Sequence, residues 1–234
     1  MDIESNLHSV LKRIAAAAES VNRNPGDVRL IVVSKGQSIE KIRTVANLGV
    51  SDFGENYLQE AAQKIQGMDS QLDINWHMIG HIQSRKAKDV CKLFDIVQTI
   101  DSLKLAKRLD RFAGELGKKM PVMIECNVSG ERSKYGFQVW DEEGLESFLK
   151  IVPDLVQLPN LDYFGLMTMA PFVKDVEQVR PNFRSLRNLS RILRDIFPDV
   201  GWAELSMGMS SDFEVAIQEG ATIVRIGQAI MGAR

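Results

Sequence analysis

The chain is poor in the residues that most often announce a function. It has two cysteines in 234 residues, Cys91 and Cys126. They stand far apart and in no metal-ligand spacing, which excludes a disulfide framework and a zinc module. Both read as free thiols of a reducing compartment. There are three histidines, and none is spaced from an Asp or Glu in a way that makes a metal site. An excess of charge of one sign is also lacking. Lys and Arg number 29 against 31 Asp and Glu, a formal net charge of -2, without the basic face that nucleic acid demands. The short run Arg85, Lys86, Lys88 reads as the solvated face of a helix. No apolar run approaches the roughly 20 residues of a membrane span. The N-terminal stretch MDIESNLHSVLKRIAAAAES is amphipathic and interrupted by charge, without the apolar core of a signal peptide. A soluble, cytoplasmic protein is expected. No linker or low-complexity stretch divides residues 1–234, so one domain is expected.

What is present is an alternation. Hydrophobic residues make up 44% of the chain, ample for one sizeable core. After a helix at residues 3–20, short β-branched runs alternate with longer segments whose apolar residues stand three and four apart. The strand-like runs are Arg29–Ser34, Val50–Gly54, Asn75–Ile79, Asp95–Ile100, Pro121–Asn127, part of Leu161–Met169, Glu204–Met207 and Thr222–Ile226. Ser38, Asp101, Asp141 and Asp212 are placed to cap the helices that follow. The helix after Asp141 is expected to stop before Pro153. Eight βα repeats behind one extra leading helix predict an α/β fold, a single (β/α)8 TIM-type barrel with an added N-terminal helix. A doubly wound open sheet is the rival. It often carries a glycine-rich turn after its first strand, whereas the turn here reads SKGQS.

In such a barrel the working residues stand at the C-terminal ends of the strands. Lys35 directly follows the apolar run LIVVS. Desolvation there frees a lysine amine to attack an aldehyde or ketone, although a lysine at a strand end can also snorkel to solvent. The stretch SMGMSSD, residues 206–212, leads into a helix. Small residues there let backbone N–H groups turn towards an anion, and the helix end adds its dipole. A second glycine turn, RIGQA, follows the last strand, and these two loops are the usual phosphate location in this fold. Arg225 lies among apolar residues and needs a partner if buried. That partner is a carboxylate such as Glu204 or Asp212, a phosphate, or a ring nitrogen. His77 is open to reading as a core histidine with its hydrogen bonds made.

Several segments together resemble a known family: LIVVSK, DFGENYLQE, NWHMIGHIQSRKAK, SKYGF, GLMTM and LSMGMSSDFEVAIQEGATIVRIGQAIMGAR. In this order and spacing they look like the pyridoxal phosphate homeostasis proteins, whose barrel is similar to the N-terminal domain of alanine racemase. The resemblance implies pyridoxal 5′-phosphate (PLP) as cofactor, held as a Schiff base (internal aldimine) on Lys35. It puts Asn56 near the cofactor, Ser206, Gly208 and Ser210 with the turn at Gly227 around the phosphate, and Arg225 against the pyridine nitrogen. Two positions depart from the family pattern. Gln37 stands where a second basic residue is common, with Ser38 after it, and Gln228 stands where a threonine is common.

An arginine against the pyridine nitrogen makes the ring a poorer electron sink, and racemisation needs an acid or base on each face of the cofactor. The first expectation is therefore a PLP carrier without robust catalysis that affects vitamin B6 and amino-acid pools. Its partners would be PLP, with PLP-dependent apoenzymes as recipients, and it would be a monomer. The alternatives are a PLP-dependent amino-acid racemase, for which Tyr57 or Tyr135 would have to serve the second face, and an aldolase-like barrel using Lys35 without PLP.

Overall fold

A computed structural model of the chain describes residues 2–69 and 71–233. Its strands are β1 (Arg29–Val33), β2 (Asp52–Glu55), β3 (Asn75–Met78), β4 (Ile96–Ile100), β5 (Met120–Asn127), β6 (Phe137–Gln138), β7 (Leu161–Met167), β8 (Glu204–Ser206) and β9 (Ile223–Ile226). Its helices are α1 (Ile3–Glu19), α2 (Ile39–Asn47), α3 (Leu58–Gly67), α4 (Ala87–Leu93), α5 (Leu103–Glu115), α6 (Glu142–Val156), α7 (Arg180–Ile196), α8 (Phe213–Gln218) and α9 (Gln228–Met231). Eight strands pair in parallel and close on themselves: β1–β2–β3–β4–β5–β7–β8–β9 and back to β1. This is the expected (β/α)8 barrel. The two-residue β6, which the sequence pattern did not reveal, adds to β5 at Cys126 and Asn127.

The period-two alternation of each strand divides the core in two. Val32, Ile124, Leu166 and Val224 point outwards into the large apolar layer between strands and helices. Their neighbours Ile31, Met123, Met167 and Ile223 meet one another as a separate small cluster, which fills the barrel interior. The remaining interior volume is taken by polar side chains, among them His77, Gln98, Ser206 and Arg225, all buried.

The extra helix α1 has a structural reason. The last two helices of the barrel, α8 and α9, are six and four residues long, too short to cover their strands. α1 lies against both. It buries Leu7, Val10, Ile14, Ala17 and Ala18, a helical stripe, and pins the seam with Asn6 to the Ile230 carbonyl at 3.1 Å and Arg13 to Glu214 at 2.7 Å.

Three local expectations are corrected. α6 does not stop before Pro153 but runs through it to Val156. Proline forfeits one helical hydrogen bond, and Val152 and Leu155, both fully buried, hold the last turn in place. The cap of α5 is Ser102, whose hydroxyl accepts from the Leu105 amide, rather than Asp101. Asp212 occupies the cap position of α8, but its carboxylate faces backwards and accepts from the Met209 amide at 2.6 Å.

If α1 is a wall of the barrel, Ile14→Ala should cost about 2–4 kcal/mol in urea unfolding. On the same helix, Leu11→Ala, at a position 43% exposed, should change stability by less than about 0.5 kcal/mol.

Candidate functional site at the barrel mouth

Where β1, β8 and β9 end, their loops enclose a cavity of about 470 Å³ lined by Lys35, Gln37, Phe172, Met209, Ser210, Ser211, Arg225, Gly227 and Gln228. Four of the seven candidate residues, Lys35, Ser210, Arg225 and Gly227, therefore share one cavity. Gly208 lies just beneath. Its φ of +95° and the proximity of Ala216 and Phe213 leave no room for a side chain, and its carbonyl accepts from the Arg225 amide at 3.0 Å. Gly227 is needed for close approach, since a Cβ there would meet the Val33 carbonyl at 2.9 Å. Because α8 and α9 are so short, little helix dipole reaches this cavity. The donors available to an anion are the Ser210 and Ser211 hydroxyls and their amides, which enter no backbone hydrogen bond among the described residues.

The other two candidates lie elsewhere. Ser206 is fully buried and its hydroxyl is engaged inside the barrel, between Arg225 and Gln98. Asn56 lines a neighbouring cleft of about 580 Å³ with Tyr57, His81 and Gln83, and its buried Oδ1 has no partner among the described residues.

The turn that presents Lys35 is held by a buried ionic cluster. Lys64, on the inner face of α3, donates to the Ser34 carbonyl at 2.6 Å, to Glu55 Oε1 at 2.7 Å and to Glu60 Oε1 at 2.5 Å. Glu60 also accepts from the Gly36 amide at 2.5 Å, and the Ser34 hydroxyl donates to Glu55 at 2.6 Å. The backbone on both sides of Lys35 is thus fixed. Burial raises the Glu55 carboxyl, against the Lys64 and Ser34 contacts that lower it. At the departure from the family pattern, Gln37 takes a hydrogen bond from Lys41 at 2.7 Å and gives one to the Gly232 carbonyl at 3.3 Å. It ties the cavity floor to the C-terminal segment.

Arg225 is 4% exposed. Neither Glu204 nor Asp212 pairs with it directly. Glu204 accepts from Thr222, and Asp212 from the Met209 amide. The guanidinium donates instead to Ser206 Oγ at 2.6 Å and to the Thr168 carbonyl at 2.8 Å. Burial lowers it to about 10, while the charges of Asp212 and Glu125 oppose that fall, so it stays cationic at neutral pH.

Sequence reading missed the ionic cluster and the partners of Arg225. A signal for the first was there to find: Lys64 stands three residues after the buried Ala61, on what should be the apolar stripe of its helix. Gln98 offered another, as a polar residue facing inwards in the strand IVQTI.

Glu125, on β5, is 3% exposed with Oε2 unpartnered among the described residues. Burial first, and the charge of Asp101 second, push it up to about 7, against the attraction of Arg225. A raised carboxyl binds its proton more tightly in the native chain than in the unfolded one. Native stability should therefore fall as pH rises from about 4.5 to about 7 and stay reduced above that. Glu125→Gln removes the effect. In urea unfolding of the ligand-free protein, its stability relative to the unsubstituted chain should rise across this window by up to about 3 kcal/mol and then level off.

Residues 6–234 match the model of the alanine racemase N-terminal domain family. Over 232 residues the chain is 41% identical to the pyridoxal phosphate homeostasis protein of Pseudomonas aeruginosa, covering 99% of this chain and 96% of that one. The Haemophilus influenzae protein of the same name is 37% identical over 235 residues, covering 100% and 97%. The structure of PipY of Synechococcus elongatus with PLP bound superposes with a TM-score of 0.80 at 35% identity, covering 94% of this chain and 100% of that one. Alanine racemase of Clostridium difficile shares the fold alone, with a TM-score of 0.69 at 19% identity, and this chain covers 57% of its length. The chain therefore belongs to the alanine racemase N-terminal domain family and, within it, to the pyridoxal phosphate homeostasis proteins.

Proposed function

We propose that this chain binds PLP through an internal aldimine on Lys35 and serves as a carrier that buffers vitamin B6, with effects on amino-acid pools, rather than as a robust catalyst. The observation that carries the reading is the convergence on one cavity of a half-buried lysine, a buried arginine and a hydroxyl-rich glycine turn. Those are the donors that an aldehyde, a ring nitrogen and a phosphomonoester call for. PipY, similar over nearly its whole length and solved with PLP, supports it.

The donor set fits the group. Ser210 and Ser211 would hold the phosphate with their hydroxyls and amides, and Gly227 lets its oxygens approach the backbone. Lys35, on a turn fixed from both sides, would keep its amine directed into the cavity. Arg225 would face the pyridine nitrogen, and Ser206 would serve the arginine rather than the phosphate. Asn56, with an unpartnered acceptor, would meet the cofactor from the β2 side. When bound, PLP supplies a reactive aldehyde and an electron-accepting ring. A cationic guanidinium beside the nitrogen disfavours its protonation and weakens that acceptance, which favours holding over turnover. Two free, buried thiols, Cys91 and Cys126, agree with a cytoplasmic setting. The recipients of such a carrier would be PLP-dependent apoenzymes, and the carrier would act as a monomer.

The test is an absorbance spectrum of the purified protein with added PLP, then borohydride reduction and peptide mass mapping. A visible band and a phosphopyridoxyl mass on Lys35 are expected, both lost in Lys35→Ala. Label scattered over surface lysines would overturn the binding reading. Solvent deuterium entering the α-position of an amino acid faster than with free PLP, and only with Lys35 intact, would replace the carrier with a racemase-like enzyme.

A further inference from the structure

We infer that a one-way chain of hydrogen bonds across the barrel aims Arg225, and that His77, Gln98 and Ser206 are positioning residues of the cofactor pocket rather than packing. The inference rests on the reading above that Arg225 meets the PLP ring.

The direction of the chain follows from its two ends. A guanidinium can only donate, so at 2.6 Å Ser206 Oγ accepts from Arg225. The hydroxyl proton of Ser206 then goes to Gln98 Oε1 at 2.7 Å. With the carboxamide oxygen so used, its nitrogen faces His77 Nδ1 at 3.1 Å, and Nδ1 must accept. The ring proton is left on Nε2, which donates to Asp52 Oδ1 at 2.8 Å. Burial pushes the Asp52 carboxyl up, but contact with His77 and the charge of Arg29 bring it below its usual range. The chain thus starts at a group with no lone pair to offer and ends at a carboxylate with no proton to give.

No link can be reversed alone. Turning the Gln98 amide over would aim two donors at Ser206 Oγ, strand the hydroxyl proton, and force a proton onto His77 Nδ1. Ser206, Gln98 and His77 are all 0% exposed, so water cannot mend a broken link, and each costs about 1–3 kcal/mol. The links come from β9, β8, β4, β3 and β2, and the step from Ser206 to Gln98 crosses the interior between strands that do not pair. The arginine is therefore fixed against the far wall of the barrel as well as its own strand. Apolar side chains would fill this space without specifying any guanidinium orientation.

The experiment has two parts. In the ligand-free, 15N-labelled protein, long-range proton–nitrogen correlation at neutral pH should find His77 protonated at Nε2 and bare at Nδ1. In PLP-loaded protein, Gln98→Leu and Ser206→Ala should each weaken PLP affinity by about 10-fold, the loss of one hydrogen bond to a charged group, and shift the visible band. Met123→Leu, in the apolar cluster of the same interior, should stay within about 2-fold. Circular dichroism checks folding, and the nitrogen spectrum of the unsubstituted protein stands even if a variant fails to fold. A proton on Nδ1 would overturn the chain, and so would unchanged affinity and band in both variants. If the unsubstituted protein gives no reducible adduct on Lys35, the PLP reading fails, while the His77 spectrum still decides the chain.

Discussion

A guanidinium held almost out of water inside a barrel governs much of what surrounds it. Removing such a charge from solvent is costly unless every donor is met, and Arg225 has no carboxylate in direct contact. The compensation comes from a neutral hydroxyl and a backbone carbonyl, with the negative charge placed at a distance, on Asp52 at the end of the chain and on Asp212 and Glu125 nearby. That leaves the cation uncommitted to a close counterion at the edge of the cavity it lines. A directly paired arginine would have been less available to a ligand.

The lysine side of the cavity follows the same logic with the charges reversed in role. There the ionic cluster of Glu55, Lys64 and Glu60 holds the backbone on both sides of Lys35, at the Ser34 carbonyl and the Gly36 amide. Fixing the main chain reduces the backbone freedom that must be lost when the amine engages a ligand. Two polar networks therefore prepare one cavity from adjacent strands, and the apolar cluster of Ile31, Met123, Met167 and Ile223 supports the interior beside them.

Closure of the barrel brings these parts together. The first strand, β1, pairs with the last, β9, only because the ring is shut, and that places residue 35 beside residues 210, 225 and 227 in one cavity. The short helices α8 and α9 leave the mouth of this sector open, and α1 seals the outer seam that their shortness would expose.

The sequence by itself determined the local elements and which residues stand at strand ends. β-branched runs such as RLIVV and IVRI read as buried strands, and the order of strand and helix favoured a parallel barrel over an open sheet. That alone puts Lys35, Ser210, Arg225 and Gly227 at the mouth. What only the tertiary structure decided was which side chains meet. Ser206, the last residue of β8, and Ser210, in the loop after it, are four positions apart, yet one faces inwards to Arg225 and the other faces the cavity, because the chain turns at Gly208. Pro153 stays helical because the residues beside it are buried, a tertiary gain that outweighs a local rule. The partners of Arg225 lie 19, 57 and, through Ser206, 127 positions away, the last at Gln98. No local pattern encodes such pairs. They are set by strand register and ring closure, and hydrogen-bond direction is then fixed by which groups can only donate and which can only accept.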